Sequence, residues 1–384
     1  MNPISATVPH DLASPRRTGL VRTYGQPGVL GAYLVLAGTL VSLIGISWDV
    51  QWHVDVGPDT FFTLSHLLLY SGSAVAGLTS LVMVVRATAA QRAGRPAERA
   101  VGGSPVRVFG GTFTAPLGYL VAGTGGALFL LYGLLDLWWH SLYGFDAVLD
   151  SPPHVGLFVS ISLTMVGSVI VFAAARAERW GRVGLIVSIP VLMTFSPITT
   201  NAFAALPLPF EPVVAGTVFF AVLLVIMGGL TLGRGAVLAI SGTLAAIQGF
   251  LWWFSPWASH VYAASQGLPL RDNLGNKAPE LPASIPMFML LAAAVIETLL
   301  WLGSTRGWSN RWLPQLLGAS GGLVISVSVL LQKSLLGDSG TPDAAGLLTA
   351  AAVGLAFGAL AGFLGARFAV ILRANTPTSS PEGN

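Results

Sequence analysis

The chain contains no cysteine. That excludes disulfides, thiolate metal sites and cysteine nucleophiles, so any bound metal must be held by imidazole and oxygen. Charge is nearly as scarce. Only 9% of the 384 residues are Asp, Glu, Lys or Arg, against about 25% in an ordinary soluble domain. Such a chain cannot cover itself with a wettable surface, so lipid must cover most of it. An apolar leader ahead of the first long hydrophobic run is also missing, so no cleavable signal peptide is expected. The net charge of +3 rests on arginines dispersed over short connections. They form no basic stripe, and nucleic acid is not an expected partner.

What is present is apolar length: 53% of the residues are hydrophobic. Crossing about 30 Å of hydrocarbon takes roughly 20 apolar residues in a helix. Ten runs qualify, at about 28–52, 60–86, 113–140, 153–175, 183–203, 211–232, 236–257, 282–303, 313–335 and 343–371. Pro190 and Pro197 interrupt the fifth. Unpaired backbone groups are not tolerated in lipid and no alternating pattern appears, so these are helices rather than barrel strands. The fold class is therefore all-α, a polytopic membrane helical bundle with a duplicated helical hairpin. The chain divides into a tail at 1–25, a six-helix metal-binding region at 26–235, a four-helix extension at 236–373 and a tail at 374–384. His10 in the first tail reads as a solvated residue. The Arg- and Gly-rich segment 87–111 reads as a flexible loop.

Arginine placement gives the orientation. Sixteen of the 19 basic residues fall before the first span or after an even-numbered one, leaving only Arg271, Lys277 and Lys333 on the other side. The positive-inside rule then puts both termini in the cytoplasm and the ends of odd-numbered spans at the outer face of the inner membrane.

Two stretches at that outer level repeat a pattern. "SWDVQWHVDVGPDTFFTLSH" carries Asp49, His53 and His66, and "LLDLWWHSLYGFDAVLDSPPH" carries Asp136, His140 and His154. Equivalent positions are offset by 87, 87 and 88 residues. Residues i and i+4 share a helix face, and a tight hairpin brings the third residue alongside. Each set is then two imidazoles and a carboxylate with coordination positions left open, which suits a metal that also binds substrate, oxygen or water. Plainer roles exist for the neighbours: Asp59 as N-cap of the second span, and Ser151 as N-cap of the fourth with Pro152 in its first turn.

The same residues resemble a known family, the C subunit of the copper membrane monooxygenases that oxidise methane and ammonia. The Asp-x3-His-x12-His spacing carries the likeness, together with "DTFFTLSH" at 59–66, where Leu64 replaces the family's proline, and "DSPPHVG" at 150–156. It covers about residues 28–175. The resemblance implies copper at Asp49, His53 and His66 and at Asp136, His140 and His154, activation of dioxygen, and hydroxylation of a small apolar substrate. It also implies partner membrane subunits and an external electron donor such as a quinol. Three departures stand out. Asp136 occupies a position where the methane enzymes have an amide, spans seven to ten have no counterpart, and the family's large exported domain is not encoded here. On donor chemistry alone, zinc serving an intramembrane hydrolase, or a metal or proton transporter, are the other readings; a homo-oligomer is the alternative to partner subunits. A dihaem cytochrome is disfavoured, because these histidines cluster at one membrane level.

Other polar residues have several readings. His260 lacks an acid four residues earlier and reads as an interfacial histidine. Glu297, inside the eighth span, either pairs with a neighbouring helix, carries protons or snorkels to the interface. Thr199, Thr200 and Asn201 line a pocket or cap the fifth span. Asp55, Asp146 and Asp150 read as turn residues. The glycine patterns "GTGGALFLLYG" and "GLAFGALAGFLG" predict close helix contacts.

Overall fold

A computed structural model describes residues 27–57, 59–95, 101–144, 151–272, 277–308, 311–337 and 340–374. His10, Arg16, Arg17, Arg22, Arg99, Asp146, Asp150 and the two tails, apart from Ala374, lie outside the described residues. Ten helices or helix pairs are long and apolar enough to cross a membrane, and the chain is a multi-pass membrane protein. They are α1 (Pro27–Asp55), α2 (Leu64–Arg92), α3 (Leu117–Tyr143), α4 (Pro152–Ala174), α5 (Arg179–Thr200), α6 (Pro212–Leu232), α7 (Ala236–Gln266), the broken pair α8 (Glu280–Ser284) and α9 (Met289–Arg306), α10 (Leu313–Leu335) and α11 (Ala344–Ala374). The hairpins α1–α2 and α3–α4 lie side by side, α5 and α6 form the centre with α4, and α7 to α11 close the bundle around them.

Glycine sets the spacing within both hairpins, and at matched positions. A Cβ on Gly38 of α1 would stand 2.6 Å from the carbonyl oxygen of Gly72 and 2.7 Å from the nitrogen of Ala76 on α2. A Cβ on Gly125 of α3 would stand 2.6 Å from the carbonyl oxygen of Ser160 and from the nitrogen of Thr164 on α4. These pairs are separated by the same 87 and 88 residues as the Asp and His sets. Backbones that touch this closely gain dispersion contacts that lipid cannot replace. The duplicated hairpin read from the sequence is thus duplicated in its packing. The second glycine pattern does similar work between α10 and α11, where Gly318 and Gly322 meet the backbone of Gly354, Gly358 and Gly362.

Three regions differ from the sequence expectation. The segment 87–111 is not a loop throughout: α2 runs on to Arg92, and β1 (Pro105–Val108) pairs antiparallel with β2 (Phe113–Pro116). Thr88 anchors that hairpin by accepting a hydrogen bond from the Thr114 N–H at 3.1 Å. Helix α5 starts at Arg179 and continues through both Pro190 and Pro197. A proline removes one N–H, and packed neighbours re-satisfy the freed carbonyls; here the Ser196 hydroxyl donates at 2.7 Å to the Met193 carbonyl, which Pro197 leaves without its helical N–H. Finally, α7 runs to Gln266 rather than 257, and the eighth span is broken after Ser284, where Pro286 cannot continue the α8 ladder.

Two buried glutamines satisfy the break. The Gln248 amide of α7 donates to the carbonyls of Pro282 and Ile285 at 2.8 and 3.0 Å. The Gln332 amide of α10 donates to Ala283 and Ile285, and its oxygen accepts from the Met287 N–H at 2.8 Å. At the opposite end of the bundle, Arg182 and Arg373 donate to the carbonyls of Leu232 and Leu230, where α6 ends. Cations there satisfy orphan carbonyls and complement the helix dipole. Glu297 has a structural partner at that end too: its carboxylate accepts the Val237 N–H at the start of α7, at 3.0 Å.

Candidate metal centres

Asp49 and His53 lie on one face of the last turns of α1, and His66 is in the first turn of α2. His66 Nε2 is 3.0 Å from Asp49 Oδ1, and His53 Nε2 is 3.8 Å from Asp49 Oδ2. A fourth donor joins them. Asp59 Oδ2, on the turn between the helices, is 3.2 Å from His66 Nε2 and 3.4 Å from His53 Nε2. Asp59 does not cap α2: Thr63 holds the N-cap position and accepts the Thr60 N–H at 2.8 Å. The second cluster comes from the last turns of α3 and the first turn of α4. His140 Nε2 and His154 Nε2 each stand 3.4 Å from an oxygen of Asp136. Donor atoms of Asp49, His53, Asp59 and His66, and of Asp136, His140 and His154, converge closely enough to hold one ion per cluster.

The far side of each ring decides its chemistry. A backbone carbonyl can only accept, so His66 Nδ1–H donates to Thr60 O at 2.9 Å and His140 Nδ1–H donates to Gly144 O at 2.9 Å. The proton on Nδ1 leaves the Nε2 lone pair facing the carboxylates. An imidazole lone pair and a carboxylate oxygen at 3.0 Å repel each other unless a cation, proton or metal, lies between them. Ser151 occupies the N-cap position of α4, but its hydroxyl pairs with His154 Nδ1 at 3.0 Å instead of capping the helix. Such partners orient metal-bound imidazoles. The rings are also seated alike: Tyr70 stacks on His66 at 5.9 Å and Phe158 on His154 at 6.1 Å, each four residues along its helix.

The carboxylates make the same demand. Asp49 and Asp136 are buried, and an ion out of water costs several kcal/mol unless it is compensated. Asp49 accepts the Ser65 hydroxyl at 2.8 Å. Asp136 Oδ1 is buried, accepts no hydrogen bond and faces His154 Nε2. The donor sets therefore fit a divalent metal: two nitrogens and two carboxylates in the first cluster, two nitrogens and one carboxylate in the second.

Both clusters open on one cavity of ≈ 1310 Å³. Its walls come from both hairpins and from α5, α6, α8 and α10, so the C-terminal helices close the side opposite the two Asp–His clusters. Asn201 lines it, whereas Thr199 and Thr200 serve packing. Thr199 bonds Ser162 at 2.7 Å, and Thr200 donates to the Pro197 carbonyl at 3.0 Å. Asp55 is not a turn residue but the last residue of α1, and its buried carboxylate pairs at 3.3 Å with the exposed His260, joining the ends of α1 and α7. Gln51 donates to the same Asp55 carboxylate at 2.8 Å.

Sequence spacing found six of the seven converging donors. Asp59 was legible only as a cap, because it lies in the turn before α2, where helical periodicity does not tie it to His66. Comparison with protein-family models, with curated proteins and with solved structures finds no match to this chain.

Proposed function

We propose that this chain is a copper-binding membrane protein of the monooxygenase type, the enzyme itself or its metal-bearing subunit, which uses dioxygen to hydroxylate an apolar substrate. The observation that carries the reading is that two Asp–His clusters with matched geometry share one largely apolar cavity inside a membrane bundle. The chemistry of the resembling family points the same way. Copper, when bound, supplies the redox centre for dioxygen chemistry.

The chain's own residues do the rest. His53, His66, His140 and His154 present Nε2, while Asp49, Asp59 and Asp136 neutralise cationic charge in a low-dielectric setting. Thr60, Gly144 and Ser151 fix the rings. Tyr70, Phe129 and Phe158 give the clusters an aromatic flank on the cavity wall. Electrons come from a donor outside the chain, a quinol being the membrane-soluble choice. Partner subunits or further copies of this chain would dock on the apolar flanks of α2 and α3. By the positive-inside rule, the arginine-rich end is cytoplasmic, with both termini, and the clusters lie near the outer face of the inner membrane.

The test is oxygen uptake by membranes carrying the protein, supplied with quinol and substrate. The reading predicts uptake that a copper chelator abolishes and added copper restores. Uptake indifferent to chelation sinks it. A second reading has one observation in its favour: Asp59 makes the first donor set rich in oxygen, which suits zinc. Zinc in the purified protein, with water-dependent cleavage of an amide or ester and no oxygen uptake, would establish an intramembrane hydrolase instead.

A further inference from the structure

The cavity is far larger than dioxygen and a small substrate require. Drug-sized ligands occupy pockets of about 300–1,000 Å³, and a water-sized molecule needs roughly 30 Å³; this cavity measures ≈ 1310 Å³.

Its lining is layered. Outside the two clusters, the charged residues on the cavity wall are Arg271, Lys277, Lys333, Glu211, Asp272 and Glu280, three of each sign. All six come from helix ends or connections: the turn before α6, the α7–α8 connection, the start of α8 and the end of α10. The first three are also the only basic residues in the whole chain that the sequence places on this side. Lys333 pairs with Glu211 at 2.6 Å across the rim. Next come the clusters, with His66 and His154 each two residues into their helices. Beyond them the wall is apolar apart from Thr217, with Leu69, Phe129, Phe158, Ile161, Val218 and Val329 contributed by five helices. Ile161 lies nine residues into α4, about 14 Å along the axis at 1.5 Å per residue.

A polar rim above a deep apolar interior selects an amphiphile, and the equal numbers of each charge select its head. A net cationic rim would favour a carboxylate or phosphate. This one is balanced and offers hydrogen bonds without net attraction for either sign. We infer that the cavity binds a single-chain amphiphile with a long alkyl body and an uncharged head, a long-chain alcohol in type, as the substrate of the clusters. This rests on the proposed function for the word substrate, but the binding itself does not.

The test is photolabelling of the full chain, as purified in nanodiscs, with a diazirine-bearing hexadecanol, labelled peptides being mapped by mass spectrometry and metal content measured on the same sample. Label is expected on peptides containing Phe158, Val218 and Val329. Hexadecanol should compete it away, and butanol and hexadecanoate should not. Ser284→Trp and Val329→Trp narrow the cavity from two different helices, Ser284 being an exposed residue of its wall. Both should lose the internal label with metal content unchanged. Label confined to lipid-facing positions such as Leu78 and Leu130 overturns the inference. So does equal competition by butanol, preference for hexadecanoate, or saturable binding of a spin-labelled phospholipid with none of hexadecanol. Internal label on a metal-free protein would sink the copper reading and leave this one standing; copper without internal label does the reverse.

Discussion

Asp59 Oδ2 stands 3.2 Å from His66 Nε2, although Asp59 belongs to a turn and His66 to a helix. The Thr60 carbonyl, tied to His66 Nδ1, folds the turn back so that the acid before it enters the cluster. Asp59→Asn keeps the volume and removes the charge. Even groups that only orient a ligand change metal affinity by about 10–100-fold, so this change should weaken the first site by at least that range and leave the second untouched. Competition titration against a chelator of known affinity measures both sites. Equal affinity in variant and wild type would show Asp59 to be a bystander.

The glycine contacts give a structural prediction. Gly38→Leu drives a side chain into the Gly72 carbonyl, whereas a Cβ on Gly133 meets nothing within 4 Å. Overpacking costs about 1–3 kcal/mol, and spreading α1 from α2 also separates Asp49 from His66. The thermal midpoint and the metal content of Gly38→Leu should both fall, while Gly133→Ala should match wild type or exceed it. A metal-replete, stable Gly38→Leu would refute the role given to that contact.

Gln332 is the main tie of the broken eighth span. Gln332→Leu leaves the Ala283 carbonyl and the Met287 N–H without their partner. Each buried polar group left unsatisfied costs about 1–3 kcal/mol. Hydrogen exchange should speed up at residues 282–288 before any other helical segment. Unchanged protection there would mean that the break holds itself.

Glu297 separates capping from proton transfer. Its carboxylate accepts the Val237 N–H, and losing an N-terminal acceptor costs about 0.5–2 kcal/mol. Glu297→Ala should be destabilised by that amount in thermal unfolding, and Glu297→Gln, which retains an acceptor oxygen, much less. Activity in Glu297→Gln should persist. Its loss, with stability intact, would instead assign Glu297 a proton-carrying role.

The span count and the two triads were legible because both follow from local rules. An apolar run must be helical in lipid, and Asp49 and His53 share a face at any i, i+4 spacing. The misses came from non-local geometry. Asp59 acts through a fold-back that no periodicity encodes. The β1–β2 hairpin has strands of only four residues bounded by Pro105 and Pro116, inside a stretch dominated by glycine and arginine. The bond from His260 to Asp55 spans more than two hundred residues of chain, and the cavity's far wall depends on Val329 and Ser284 returning to face Phe158. Sequence placed α10 in the membrane; only packing placed it opposite a histidine.

Elemental analysis of the purified full chain and of its His53→Ala and His140→Ala variants tests the central claim most directly. Copper should be present at one equivalent per cluster in the wild type. Each variant should lose one equivalent, and the double variant should lose both. A gently isolated wild-type protein that carries no metal, or variants that keep the full complement, would contradict it.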